Sequence, residues 1–153
     1  MEGLRKEALQ TANTPCLLNK KVRVLFVCIE NAGRSQMAEA FARRMAPELV
    51  EAISAGSRPS GKINPVVAEA MREVGCDLGA HRSKSLAEIP SGRYGWVVTM
   101  GCGDECPFIP ADEHVDWQIP DSKGLPLADV RPIRDQIQTQ VEALIQNIRK
   151  AHV

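Results

Sequence analysis

The amino-acid sequence predicts a single α/β domain built on a parallel β-sheet with helices on both faces. Three observations carry this. The chain has 153 residues, the usual size of one domain. Short, β-branched, nearly continuous apolar runs recur along it, as in strands buried on both faces. Between them lie stretches with apolar residues at helical spacing, and such alternation gives a parallel sheet with right-handed crossovers.

Residues 1–20 read as a polar extension with a short helical turn at 4–9, and the domain proper spans 21–153. The first buried strand is 22–27, V-R-V-L-F-V. A glycine-containing loop follows, then a helix at 35–45 with Met37, Ala38, Phe41, Ala42 and Met45 on one face. A second strand is expected at 50–55. Asn64-Pro65 opens the next helix, with Asn as cap and Pro in the first turn, and Gly75 ends it. Ser85-Leu86-Ala87-Glu88 has the form of a capping box and marks a short helix. A third strand is expected at 95–100 and a fourth at 115–118. An amphipathic helix at 129–150 closes the chain, with Ile133, Ile137, Val141, Leu144 and Ile148 in line.

Composition removes several function classes. Hydrophobic residues make up 44% and charged residues 25%, a mixture that excludes a disordered chain. Lys plus Arg number 19 against 19 Asp plus Glu, so the basic excess of a general nucleic-acid binder is missing. Aromatic residues at 4% are too few for a base-stacking platform. No apolar run approaches the roughly 20 residues of a membrane-spanning helix, and the first 20 residues carry no secretory signal. The expected compartment is the cytoplasm, where the five cysteines stay reduced. Cys16 and Cys76 read as small buried hydrophobes. Cys28, Cys102 and Cys106 read as chemistry.

In sheets of this kind ligands sit beyond the carboxyl ends of the strands. Cys28 ends the first strand and Cys102 follows the third, so topology sets both on one rim. From Cys28 the sequence runs Cys28-Ile29-Glu30-Asn31-Ala32-Gly33-Arg34-Ser35, a C-x5-R-S loop between strand and helix. Successive loop amides and the positive end of the following helix converge on one point, an anion nest. Arg34 adds a planar, two-pronged donor for a tetrahedral oxyanion. The same field favours the thiolate of Cys28, which matters because an unperturbed thiol is only a few per cent ionised at neutral pH. Ser35 can donate to that sulfur, and Gly33 lets the backbone close round the anion. The plainer reading is a coincidental Cys and Arg in a β-to-α turn.

Residues 28–40, C-I-E-N-A-G-R-S-Q-M-A-E-A, resemble the active-site loop of the low-molecular-weight protein tyrosine phosphatase superfamily, and within it the arsenate reductases that share the fold. R-S-Q-M-A-E is the reductase form, where phosphatases usually carry Pro in place of Gln36. Further matches are Ser54-Ala55-Gly56, Asn64-Pro65, His81-Arg82-Ser83-Lys84-Ser85 and Val98-Thr99-Met100, so the resemblance covers residues 21–150. It implies a flavodoxin-like four-stranded parallel sheet of order 2-1-3-4. It also implies reduction of arsenate to arsenite, with phosphate or sulfate as mimics. Cys28 is then the nucleophile, Arg34 binds the oxyanion, Asn31 and Ser35 support the loop, and Asp121 is the general acid, followed by Ser122 where the family usually has Pro.

Cys102 and Cys106 are then a thiol–disulfide relay, since a reductase must supply two electrons. The implied reductant is external, either thioredoxin or a glutaredoxin-like protein with a small thiol, and no tightly bound cofactor is expected. Asn31, Glu39 and Ser54 match positions that hold a monovalent cation such as potassium in some relatives; the plainer reading is a helix-surface carboxylate and two loop hydrogen-bonders. Three alternatives stay open: phosphate monoester hydrolysis by the same loop, a non-catalytic oxyanion or metalloid binder, and a metal half-site at Cys102 and Cys106 completed by His114 or His81. Phosphatases of this fold pair tyrosines after the catalytic Asp, whereas the single tyrosine here, Tyr94, lies elsewhere. His81, His114 and His152 need no catalytic role, because the loop itself activates Cys28.

Overall fold

The computed structural model describes residues 20–101 and 107–151. Strands β1 (Val22–Cys28), β2 (Val50–Gly56), β3 (Tyr94–Thr99) and β4 (Ala111–Asp116) form one parallel sheet in the order β2-β1-β3-β4, as the resemblance implied. β1 is paired on both sides, and Val24, Leu25, Phe26 and Val27 are wholly buried, which is why this run is apolar without alternation. No helix among the described residues is long and apolar enough to cross a membrane.

The helical cover of the two faces is unequal. Helices α1 (Arg34–Met45), α2 (Pro65–Glu73) and α3 (Leu127–Ala151) join one core cluster with Val24 and Phe26. On the opposite face Leu25 and Val27 pack with Ile53, Ala55, Tyr94 and Val97, flanked by Leu86 of a 3-10 turn, Leu86–Glu88, and by Ile89 directly after it. The capping box of that turn is present. It cannot grow further, because Ile89 precedes Pro90 and is held extended.

Two elements depart from expectation by more than one residue. β4 starts at Ala111, pairing in register with Tyr94, and ends at Asp116, ahead of the expected 115–118. It is an edge strand whose Asp112, Glu113, His114 and Asp116 are exposed, so no apolar alternation announced it. Charge on such an edge also blunts strand addition by another chain. α3 begins at Leu127, where Pro126 O accepts from Asp129 N and Val130 N, and it runs through Pro132. Burial of Ile133, Ile137, Val141, Leu144 and Ile148 outweighs the hydrogen bond that Pro132 cannot make. Asn64 caps α2 as expected, with its side chain accepting from Val66 N.

α2 and α3 are joined at Glu73, which receives Arg131 Nη2 at 2.6 Å and Arg134 Nη1 at 2.8 Å. Hydrogen bonds from Arg131 first, and Arg134 with it, draw the Glu73 carboxyl down to about 2. A depressed carboxyl stabilises the fold above its ordinary range and loses that contribution as pH falls through its folded value. Glu73→Gln is therefore expected to lower the Tm above roughly pH 5, with the difference shrinking to nothing near pH 2; thermal unfolding of both proteins across pH reads this.

Candidate active site

The sequence 28–35 is forced into a cradle by hydrogen bonds to its carbonyls. Ser57 N donates to Cys28 O (3.2 Å), Arg58 N to Ile29 O (2.8 Å), Ser60 N to Glu30 O (3.1 Å) and Asn64 N to Ala32 O (3.0 Å). Gln36 Nε2 takes Asn31 O (3.1 Å), and Met37 N takes Gly33 O (3.0 Å). With every carbonyl from Cys28 to Gly33 turned outward and satisfied, the amide edge of the loop faces inward. α1 adds its own end: Gly33 supplies no side-chain cap, and the first turn carries no acidic residue. The helix terminus is thus open to an anion.

The residue that bends the loop is Asn31, with φ of +53°, a left-handed conformation that asparagine tolerates. Gly33 is not left-handed, and a Cβ there would collide with the Ser122 hydroxyl. Gly56 is the tighter constraint: a Cβ would stand 2.5 Å from Ile29 O and 2.9 Å from Asn31 N. The end of β2 and the loop therefore close on each other through a glycine.

Cys28 is buried at the base of this cradle. Its Sγ lies 2.9 Å from Ser35 Oγ, and Asn31 Nδ2 donates to the same hydroxyl at 2.7 Å. Because Ser35 Oγ accepts from Asn31, its own proton is free for the sulfur. Arg34 is 6% exposed; its Nη1 donates to Ile119 O at 3.2 Å, and its Nη2 stands 3.7 Å from Asp121 Oδ2. Asp121 is 56% exposed, and its Oδ1 accepts from Lys123 N at 3.0 Å. The following Ser122 is buried, so a serine seats the loop where a proline was the norm. Cys28, Arg34 and Asp121 line one cleft of about 380 Å³, rimmed by Arg58, Lys62 and Lys123. The arrangement suits a tetrahedral oxyanion, with a sulfur at the base of the cleft and a carboxyl at its outer side.

Residues 23–153 match the family described as low molecular weight phosphotyrosine protein phosphatase. The chain belongs to that family. It is 33% identical over 129 residues to a glutaredoxin arsenate reductase of Synechocystis sp., covering 82% of this chain and 98% of the relative. Among solved structures it superposes with a TM-score of 0.75 on an arsenate reductase in the phosphate binding state, at 32% identity, covering 83% of this chain and 98% of the other. It superposes with a TM-score of 0.71 on a thioredoxin-dependent arsenate reductase of Corynebacterium glutamicum, at 33% identity, covering 86% of this chain and 63% of that one.

The low-molecular-weight phosphatase loop of this chain rests on a second layer that sequence reasoning did not assign. Gln36 Nε2 also donates to Arg82 O at 2.9 Å, and its Oε1 meets His81 Nδ1 at 2.9 Å. Burial, opposed by the nearby Glu39, holds the His81 imidazole below its ordinary range, so a neutral ring donates to Gln36. Gly101 (φ +79°) crosses the guanidinium of Arg34, and a Cβ there would run into Nη1. Neither Gln36 nor Gly101 carries a local signal beyond its place in the family motif. Cys102 and Cys106 lie outside the described residues.

The residues expected to hold a monovalent cation do not fit one. Ser54 Oγ donates to Glu39 Oε1, Arg43 Nη2 sits 2.8 Å from Glu39 Oε2, and Lys84 Nζ lies 3.7 Å from Oε1. Asn31 Oδ1 is taken by Gln36 Nε2 and by Lys84 N. The candidate ligands are already satisfied by this chain's own donors.

Proposed function

We propose that this protein reduces arsenate to arsenite, with phosphate and sulfate binding the same cradle as unreactive mimics. Cys28 thiolate attacks the arsenic of arsenate, and one oxygen leaves as water with the proton of Asp121. Arg34 and the inward amides hold the remaining oxygens. Cys102 thiolate then attacks Cys28 Sγ; the S–As bond breaks, its electron pair stays on arsenic, and arsenite departs. Cys106 attacks Cys102, transferring the disulfide and returning Cys28 as thiolate. The Cys102–Cys106 disulfide is reduced from outside, by a dithiol protein of the thioredoxin class or by a small thiol with a glutaredoxin-like partner. A reaction that consumes thiols belongs to a reducing compartment, the cytoplasm.

The observation that carries this reading is the junction at Gly101. The chain passes directly over the Arg34 guanidinium at Gly101, and Cys102 is the next residue in the sequence. Relatives that are arsenate reductases over almost their full length support the same choice over simple hydrolysis. The test is NADPH oxidation coupled through thioredoxin reductase and thioredoxin, together with mass spectrometry of the arsenate-oxidised protein. Turnover is expected to require arsenate and to vanish in Cys102→Ser, with a peptide joining Cys102 to Cys106 in the wild type. Full thioredoxin-coupled turnover in Cys102→Ser would overturn the relay, and aryl phosphate hydrolysis without arsenate turnover would favour the phosphatase.

A further inference from the structure

Glu39 is a carboxylate only 5% exposed on the buried face of α1, and a charge in that setting must be compensated. Two cations meet it from different elements. Arg43 reaches one oxygen from the next turn of the same helix. Lys84 reaches the other from the segment after α2, and its Nζ is also 3.4 Å from Ser54 Oγ. The Lys84 side chain is 18% exposed, and burial draws its ammonium below the ordinary range against the pull of Glu39.

The backbone of Lys84 is fixed as firmly as its head group. Its N–H donates to Asn31 Oδ1 at 3.0 Å, and its carbonyl accepts from Gly56 N at 2.9 Å. One residue thus ties three things together: the buried carboxylate, the end of β2, and the left-handed Asn31. From Asn31 the path to the nucleophile is two more contacts, Nδ2 to Ser35 Oγ and Ser35 Oγ to Cys28 Sγ.

We infer that Lys84 is a built-in counter-ion that takes the place of a dissociable monovalent cation beside the catalytic loop. Its positive charge is covalently tethered, so the alignment of Asn31 and Ser35 does not depend on the salt outside. Glu39 has one negative charge against Arg43 and Lys84, and a further cation there would meet repulsion without a free carboxylate oxygen to bind. Removing the ammonium reverses that balance. Glu39 Oε1 and Ser54 Oγ would then face a gap, and Glu39, His81 and Lys84 line an open cleft of about 470 Å³ through which an ion can enter. Lys84 is a positioning residue, acting on Cys28 through Asn31 and Ser35.

The experiment compares wild type with Lys84→Ala in potassium chloride and in choline chloride at equal ionic strength. Phosphate affinity is read by calorimetry and Cys28 alkylation by iodoacetamide is read by peptide mass, so neither depends on arsenate turnover. Wild type is expected to give the same phosphate affinity and the same alkylation rate in both salts. Lys84→Ala in choline is expected to bind phosphate roughly tenfold more weakly, the scale of one lost charge-assisted contact, and potassium is expected to restore most of it. A wild type that gains as much from potassium as the variant does would overturn the inference. So would a Lys84→Ala that matches wild type in choline, or one whose defect potassium leaves unchanged. If Lys84→Ala does not fold, Lys84→Gln keeps the stem without the charge, and the same comparisons decide.

Discussion

Replacing Arg34 with lysine is expected to lower kcat/KM for arsenate by roughly a thousandfold, even though the charge is kept. One guanidinium does work that a single ammonium cannot divide. Nη1 is spent on Ile119 O, Nη2 faces Asp121, and the plane of the group lies beneath Gly101. Those anchors fix the direction in which the remaining N–H edge meets an oxyanion, and lysine has neither the plane nor the second prong. At 6% exposure the Arg34 side chain is itself largely shut off from solvent. Steady-state kinetics with arsenate, and calorimetry with phosphate as the unreactive mimic, measure the loss in turnover and in affinity. A variant that keeps phosphate affinity within about threefold would show that the amide cradle alone holds the anion.

Gly56→Ala is expected to cost about 2–3 kcal/mol of stability, an overpacking penalty, and to abolish phosphate binding with it. The added carbon would meet backbone, Ile29 O and Asn31 N, and not the flexible end of a side chain. β2 is held in register with β1 from Val22–Val50 to Cys28–Gly56, and Gly56 N is committed to Lys84 O. Relief therefore has to come from the loop, which loses the curvature that turns its amides inward. Gly61 is the control. It has φ of +90° and nothing within 4 Å of a built Cβ, so Gly61→Ala should cost about 1 kcal/mol of backbone strain and leave phosphate affinity intact. Urea denaturation with and without phosphate separates the two outcomes.

What the sequence made legible is local. The β1 run, the C-x5-R-S spacing and the Asn64-Pro65 cap are each written within a few neighbouring residues, and the structure brings Cys28, Arg34 and Asp121 into one cleft, with Ser35 buried behind the sulfur. What it hid acts at a distance. Gln36 reaches Arg82 across 46 positions, and Lys84 reaches Asn31 across 53; no periodicity marks such pairs. The oxygens of Asn31, Glu39 and Ser54 were visible as a ligand set, but not the lysine that folds onto them. β4 was expected at 115–118 and lies at Ala111–Asp116, because an exposed edge strand carries no apolar run to mark where it starts. The left-handed turn at Asn31 was not read from the sequence, because glycine is the usual left-handed residue and asparagine the less obvious one.

The outward anchoring of every carbonyl from Cys28 to Gly33 means that the receptor is shaped before its guest arrives. Fixed donors of this kind measure charge and tetrahedral geometry, and arsenate shares both with the far more abundant phosphate. Occupancy therefore cannot be the basis of choice. Discrimination falls to the step after capture, where arsenic accepts an electron pair and phosphorus does not, and the uncharged arsenite that results finds nothing in the cradle to retain it.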